Sequence, residues 1–109
     1  MTPKTFYDLR SISAERARVG KLYQEFLRVP AFSVGVYVLP AGGTDPQKSH
    51  KEDEVYYVVR GRARMRVGED VRAVQSGSVI LVGAEVDHRF FDISEELETL
   101  VFFAPAESS

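Results

Sequence analysis

Short runs of β-branched and aromatic residues alternate with turn residues from about residue 22 to residue 103. The clearest pattern is Arg62–Val67, where polar and apolar residues alternate at period two, as in a strand with one buried face. Glu54–Val59 is another strongly β-forming run, and Gly61 is predicted to separate the two. The other predicted strands are Leu22–Val29, Phe32–Leu39, Val71–Val74, Ser78–Val82, His88–Phe91 and Leu100–Phe103. Such spacing predicts an all-β sandwich or barrel.

One segment before the strands has helical character. Asp8–Val19 contains good helix formers, with Ser11 or Ser13 as the predicted N-cap and Gly20 as the predicted end. An irregular arm fits the same pattern. Residues 1–20 are therefore predicted to form an arm or short helix, residues 21–106 the barrel and residues 107–109 a tail.

Composition narrows the class of protein. A chain of 109 residues, 44% hydrophobic and 28% charged, fits one globular domain. No apolar run approaches the roughly 18–20 residues of a membrane helix. The segment Met1–Thr5 lacks the apolar core of a secretory signal, so we expect a cytoplasmic protein with no membrane partner. The absence of Cys excludes disulfides and thiolate chemistry.

Charge argues against a nucleic-acid partner. The formal net charge is −2, so general attraction to nucleic acid is not expected. Arginines occupy alternate positions of one predicted strand, and we interpret them as its solvated face. They are Arg60, Arg62, Arg64 and Arg66. The acidic segment with Glu95, Glu96 and Glu98 is interpreted as a solvated turn.

Candidate chemistry begins with His50 and Glu54. They are four positions apart, and even spacing on a strand places both side chains on one face. If that face is buried, a divalent metal ion would satisfy both groups. A solvated start of a strand fits the spacing equally well. Glu54 is also the candidate catalytic residue, either as a direct ligand or as an unbound base.

Two spacings carry a family resemblance. Six residues separate Glu54 from Gly61; further along, five residues separate Gly77 from Gly83, and His88 follows. Over residues 40–92 this arrangement resembles the two motifs of the cupin superfamily. In the first motif, Lys48 stands where the family has the first His of its His-x-His pair. In the second, Gly83 and Glu85 replace the family's Pro and Gly, which leaves the tight turn to Gly83.

The resemblance implies a double-stranded β-helix, or jelly-roll barrel, that holds a divalent metal ion. The ion would be Fe(II), Zn, Mn or Ni, and the matching ligands are His50, Glu54 and His88. Lys48 has two interpretations. It enters the cavity, where it pairs with Glu54 and excludes the metal, or it points outward and leaves room for Gln47 as a fourth ligand.

Several aromatic residues are predicted to line the cavity beside the metal. Tyr56 shares the parity of Glu54, and Phe90 shares that of His88. The predicted substrate-binding residues are Tyr37, Tyr56, Phe90, Phe102 and Lys48. For each aromatic, a purely structural place in the core is an equally simple explanation.

The predicted function is that of a metal-dependent enzyme acting on a small organic molecule. Two His and one carboxylate suit dioxygenase-like chemistry, and isomerase and lyase activities also occur in the superfamily. The alternatives are a non-catalytic ligand-binding or sensing module without metal, and a purely structural remnant. The resemblance also implies a homodimer.

Overall fold

A computed structural model describes residues 4–108 of the chain. The first three residues of the predicted arm and the last residue of the predicted tail lie outside this range. The elements, in chain order, are α1 (Leu9–Val19), β1 (Tyr23–Val29), β2 (Phe32–Leu39), β3 (Asp53–Val67), β4 (Asp70–Gln75), β5 (Val79–Val82) and β6 (His88–Ala104). The predicted all-β fold with a short N-terminal helix is therefore confirmed.

The helix ends where its sequence predicts. Gly20 adopts a left-handed conformation with φ of 76°, its N–H donates to the Ala17 carbonyl at 3.1 Å, and the N–H of Lys21 donates to the Arg16 carbonyl at 3.3 Å. The predicted serine caps are wrong. Asp8 occupies the N-cap position, and Ser11 lies inside the first turn and donates to the Asp8 carboxylate at 2.7 Å. Within residues 4–108, no helix is long and apolar enough to cross a membrane.

The strands form one antiparallel sheet in the order β1-β2-β6-β3-β4, and β5 also pairs with β3. β3 and β6 are long strands that pair along their whole length. Asp53 pairs with Ala104 at one end, and Val67 pairs with His88 at the other. The first part of β3 pairs with β5 and the second part with β4. The two long strands thus run through both halves of the barrel.

Two predicted interruptions are absent. β3 continues through Gly61, which has a φ of 103°, and its pairing with β6 is irregular between Val58 and Arg64. β6 continues through the acidic segment for which the sequence predicts a solvated turn. Arg60 pairs there with Glu96 and Glu98, each at 2.7 Å. Cross-strand charge pairing keeps this acidic segment in the sheet.

The core fills the inside of the barrel. Its largest fully buried apolar side chains come from β2, β3 and β6: Tyr56, Phe90, Phe103, Leu39 and Leu97. Three of these are aromatic, so the wall around the buried polar residues is largely aromatic.

Candidate metal centre

Glu54 lies on the inner face of β3, in the middle of the sheet. Its backbone pairs with Val82 on one side and Phe103 on the other, and only 1% of the residue is exposed. Alternation along β3 turns Tyr56 to the same inner face, where it is fully buried. The strand pattern that predicted these two orientations is confirmed.

His88 begins β6 and faces Glu54. Its Nε2 lies 2.9 Å from Glu54 Oε1, and both side chains are inaccessible to solvent. The contact lacks hydrogen-bond geometry, so His88 Nε2 and both carboxylate oxygens of Glu54 have no hydrogen-bond partner among the described residues. The other ring nitrogen, Nδ1, lies 2.9 Å from the Val86 carbonyl oxygen. Burial lowers the pKa of His88, but the Glu54 carboxylate and the Val86 carbonyl outweigh it, so the pKa stands above its ordinary value.

The turn before His88 is built differently from the prediction. Glu85, rather than Gly83, takes the left-handed conformation, with φ of 61°. Glu85 stands where the family motif has Gly, a residue that adopts positive φ without steric cost. The Glu85 N–H donates to the His50 carbonyl at 2.6 Å, which ties the two histidine-bearing segments together.

His50 lies on the irregular segment between β2 and β3. Its ring packs against Phe103, with centroids 4.9 Å apart, and lies 6.2 Å from the His88 ring. Its Nε2 is 3.2 Å from Gln47 Oε1, and its Nδ1 is 3.3 Å from Glu107 Oε2. The structure therefore places Gln47 next to His50, and the Gln47 amide also donates to the Tyr56 hydroxyl.

Asp45 is a structural residue of the site that sequence reasoning missed. It is 6% exposed, and its carboxylate accepts from the Tyr37 hydroxyl at 2.6 Å and from the backbone N–H groups of Gln47 and Phe90 at 3.0 Å. These bonds fix the loop that carries Gln47 against β2 and β6. Burial, with the hydrogen bond to Asp45 next, raises the pKa of Tyr37 above its ordinary value.

The end of the chain also belongs to the site. The Glu107 N–H donates to Ser33 Oγ at 3.0 Å, and its carbonyl accepts from Arg28 at 2.6 Å. Ser108 donates to Glu52 Oε2 from its N–H at 3.1 Å and from its hydroxyl at 2.6 Å. We call residues 105–108 the C-terminal strap. Nothing in its short acidic sequence indicated contact with His50, which is 57 positions earlier (107 − 50).

Two predicted substrate-binding residues are misplaced. Phe102 is 38% exposed on the outer face of β6. Side chains alternate along the strand, and it is the next residue, Phe103, that faces inward. Lys48 is exposed while Glu54 is buried, so Lys48 does not occupy the space beside that carboxylate. Tyr37, Tyr56 and Phe90 are inside the barrel, where Tyr56 packs edge-to-face on Phe90 at 5.0 Å.

The three predicted metal ligands, His50, Glu54 and His88, lie near each other but do not form a complete metal-binding group. Among the described residues, no three His, Asp or Glu side chains form a ready-made metal-binding group.

Two surface grooves lie away from these three residues. One, of about 510 Å³, lies between β4 and β5 and is lined by Met65, Val74 and Ile80 among others; the second lies beside α1. Neither groove includes His50, Glu54 or His88 in its lining.

The fold and the paired motifs define a class of protein. Residues 35–104, more than half of the chain, match the cupin domain family, so the chain belongs to that family. Cupins include metal-dependent enzymes and non-catalytic modules, and membership alone does not choose between them.

Similar proteins agree with this assignment. An uncharacterised protein of Streptomyces coelicolor is 50% identical over 102 residues, which are 94% of this chain and 97% of that protein. TT1209 from Thermus thermophilus has a similar structure, with a TM-score of 0.73, 20% identity, and coverage of 93% of this chain and 97% of that one. A cupin 2 conserved barrel domain protein from Rhodopseudomonas palustris has a TM-score of 0.70 at 20% identity. That match covers 80% of this chain and 62% of the other, so this chain spans less than two thirds of it. The two structural likenesses show the fold alone.

Proposed function

We propose that this cupin binds a divalent metal ion through His50, Glu54 and His88, with the Gln47 amide oxygen as a fourth ligand, and uses it to act on a small organic molecule. The observation that carries the proposal is the pair Glu54 and His88. Both carboxylate oxygens and the imidazole Nε2 are buried without a hydrogen-bond partner in the described part of the chain. Such burial is costly unless a cation or proton compensates it.

The two imidazoles share an arrangement that suits metal binding. In each ring, Nδ1 faces an oxygen outside the proposed ligand set, Val86 O for His88 and Glu107 Oε2 for His50. In each ring, Nε2 faces an oxygen inside the set, Glu54 Oε1 for His88 and Gln47 Oε1 for His50. A proton on Nδ1 leaves the Nε2 lone pair free for a metal, and an outer oxygen partner is the usual companion of a ligating His.

A shared ion requires the two imidazole rings to come slightly closer together. A metal–nitrogen bond is about 2.1 Å, so an imidazole centroid lies roughly 3 Å from the metal that it binds. The observed 6.2 Å between the His50 and His88 rings slightly exceeds twice that distance, so the His50 ring, which lies on the irregular segment, would have to move toward His88 to share an ion with it. Two imidazoles, a carboxylate and an amide oxygen are acceptable ligands for Fe(II), Zn, Mn or Ni.

The bound ion would act as a Lewis acid toward a substrate oxygen. The residues around it would shape the reaction. Tyr56, which packs against the His88 ring and against Phe90, would form with Phe90 an apolar wall that holds the substrate and excludes water. Burial, with the charge of Glu54 next, raises the pKa of Tyr56, so its hydroxyl keeps its proton and can donate a hydrogen bond. Dioxygenase-like, isomerase or lyase chemistry is the proposed range.

The test measures metal content and affinity. Purified tag-free protein is analysed by ICP-MS and then titrated calorimetrically with Zn²⁺ and Mn²⁺, beside the variants Glu54→Gln, His50→Ala and His88→Ala. We expect about one metal per chain in the parent and affinities weakened at least about 100-fold in the variants, because two of them remove an imidazole ligand and Glu54→Gln removes the negative charge of the carboxylate ligand, whereas an outer partner alone is worth about 10- to 100-fold. Glu98→Gln is the matched control, because Glu98 is a buried strand glutamate that pairs with Arg60 away from the site. It should bind metal as the parent does.

A metal-free ligand-binding or sensing module is the second candidate. The direct approach of His88 to Glu54 at 2.9 Å favours it, because an imidazolium there would neutralise the carboxylate without a metal. A folded parent that takes up none of Fe, Mn, Zn or Ni contradicts the metal proposal and supports this alternative.

A further inference from the structure

We infer that Glu107 is a positioning residue of this site, and that the C-terminal strap completes the site by holding the His50 imidazole in its ligating orientation. This inference rests on the proposed function and extends it to a segment outside the family's motifs. The carrying observation is that Glu107 Oε2 lies 3.3 Å from His50 Nδ1, while the opposite ring atom faces Gln47.

His50 needs such a support more than Glu54 and His88 do. Glu54 and His88 lie on paired strands, and the sheet register sets where their side chains point. His50 lies on a segment without regular structure, so its ring orientation depends on side-chain contacts. Packing against Phe103 restricts the ring but does not distinguish its two nitrogens. The Glu107 carboxylate makes that distinction, because it favours a proton on Nδ1 and leaves Nε2 for a metal.

The strap holds Glu107 in place independently of His50. Its backbone is bonded on one side to Ser33, which is fully buried in β2, and on the other to Arg28 of β1. The next residue, Ser108, is bonded twice to Glu52, which is 5% exposed. Anchors on three separate segments fix the carboxylate before any ion binds, which is the preorganisation that a precise site requires.

The first test is calorimetric titration of Zn²⁺ into the full chain and its variants. Glu107→Ala should weaken the affinity by about 10- to 100-fold, the usual effect of removing an outer partner of a ligating His. Glu107→Gln should recover much of that loss, because its amide oxygen still accepts from Nδ1. Glu95→Gln is the control for the lost charge, because Glu95 is an exposed glutamate that pairs with Arg62. A Glu107→Ala affinity within twofold of the parent overturns the inference.

A second readout needs no metal. ¹⁵N NMR of the His50 ring in metal-free protein should show the proton on Nδ1 in the parent and a shift toward Nε2 in Glu107→Ala. Identical ring spectra in the two proteins contradict the positioning role. If the parent binds no metal and the ring still responds to Glu107, the metal proposal fails and the positioning of His50 by the strap stands.

Discussion

Asp45 shows how one buried carboxylate can organise a site without touching its reactive centre. Three donors converge on it: the Tyr37 hydroxyl and the N–H groups of Gln47 and Phe90. They belong to β2, to the loop that carries Gln47 and His50, and to β6. Because these three bonds join separate segments, Asp45 fixes the loop that carries Gln47 and His50 against β2 and β6.

Asp45→Ala is therefore expected to destabilise the protein by about 3 kcal/mol, since it leaves buried donors without an acceptor. Urea unfolding followed by circular dichroism measures the change in the free energy of unfolding. Asp53→Ala is the control, because Asp53 is exposed and accepts one N–H, that of Ala84 at 2.8 Å. Its cost should stay near about 1 kcal/mol. Equal losses in the two variants contradict the special role of Asp45.

At the scale of single residues, part of the site could be predicted from the sequence and the rest could not, for a physical reason. Glu54 and His88 could be predicted because motif spacing and strand parity determine where they point. Asp45 and Glu107 act through partners 45 and 57 positions away (90 − 45 and 107 − 50), and local periodicity contains no such information. The sequence points to Phe102 in place of Phe103 because it does not reveal the strand register, which decides the inward parity.

Among the elements, β3 and β6 depart most from the sequence pattern. Gly61 and the acidic segment before Leu97 carry the usual signals of a turn. In the structure these two signals lie opposite each other across the same ladder, with Arg60 and Arg62 facing the glutamates. The register between β3 and β6 is irregular here, and a glycine with positive φ is typical of such a β-bulge, so Gly61 marks an irregularity within the strand and not its end.

Gly61→Ala tests that interpretation. A Cβ at this position would meet the Glu96 carbonyl and come 2.7 Å from Leu97 Cα, in addition to the strain of a φ of 103°. Gly77→Ala is a close control, since Gly77 has a φ of 93° and nothing within 4 Å of the added atom. The control should lose about 1–2 kcal/mol from backbone strain, and Gly61→Ala about 2 kcal/mol more from overpacking. Thermal unfolding of both variants gives the comparison, and similar melting temperatures contradict the close approach of the two strands.

On the scale of the whole molecule, the outer face of the sheet has an uncharged apolar surface. Register places two rows of apolar residues across β2, β6, β3 and β5. The rows are Val34–Phe102–Val55–Leu81 and Val36–Leu100–Tyr57–Val79. At the β2 end the side chains are buried, whereas at the β5 end Val79 and Leu81 are 67% and 69% exposed. Exposed apolar side chains clustered toward the β5 end of a sheet face in this way mark an interaction surface.

We propose that a second copy of the chain covers this face, and Leu81→Lys tests the proposal. A flat face without charges can pack on its own copy without bringing like charges together, as a two-fold interface requires. Light scattering coupled to size-exclusion chromatography should give a mass near 24 kDa for the parent (2 × 12.2). In the Leu81→Lys variant the mass should fall toward 12.2 kDa, because an unpaired ammonium would be buried at the contact. Gln75→Lys adds the same charge to an exposed position of β4 that does not line the groove beside Val79 and Leu81, and should leave the dimer intact. A parent that elutes as a monomer, or a dimer that both variants preserve, contradicts the proposal.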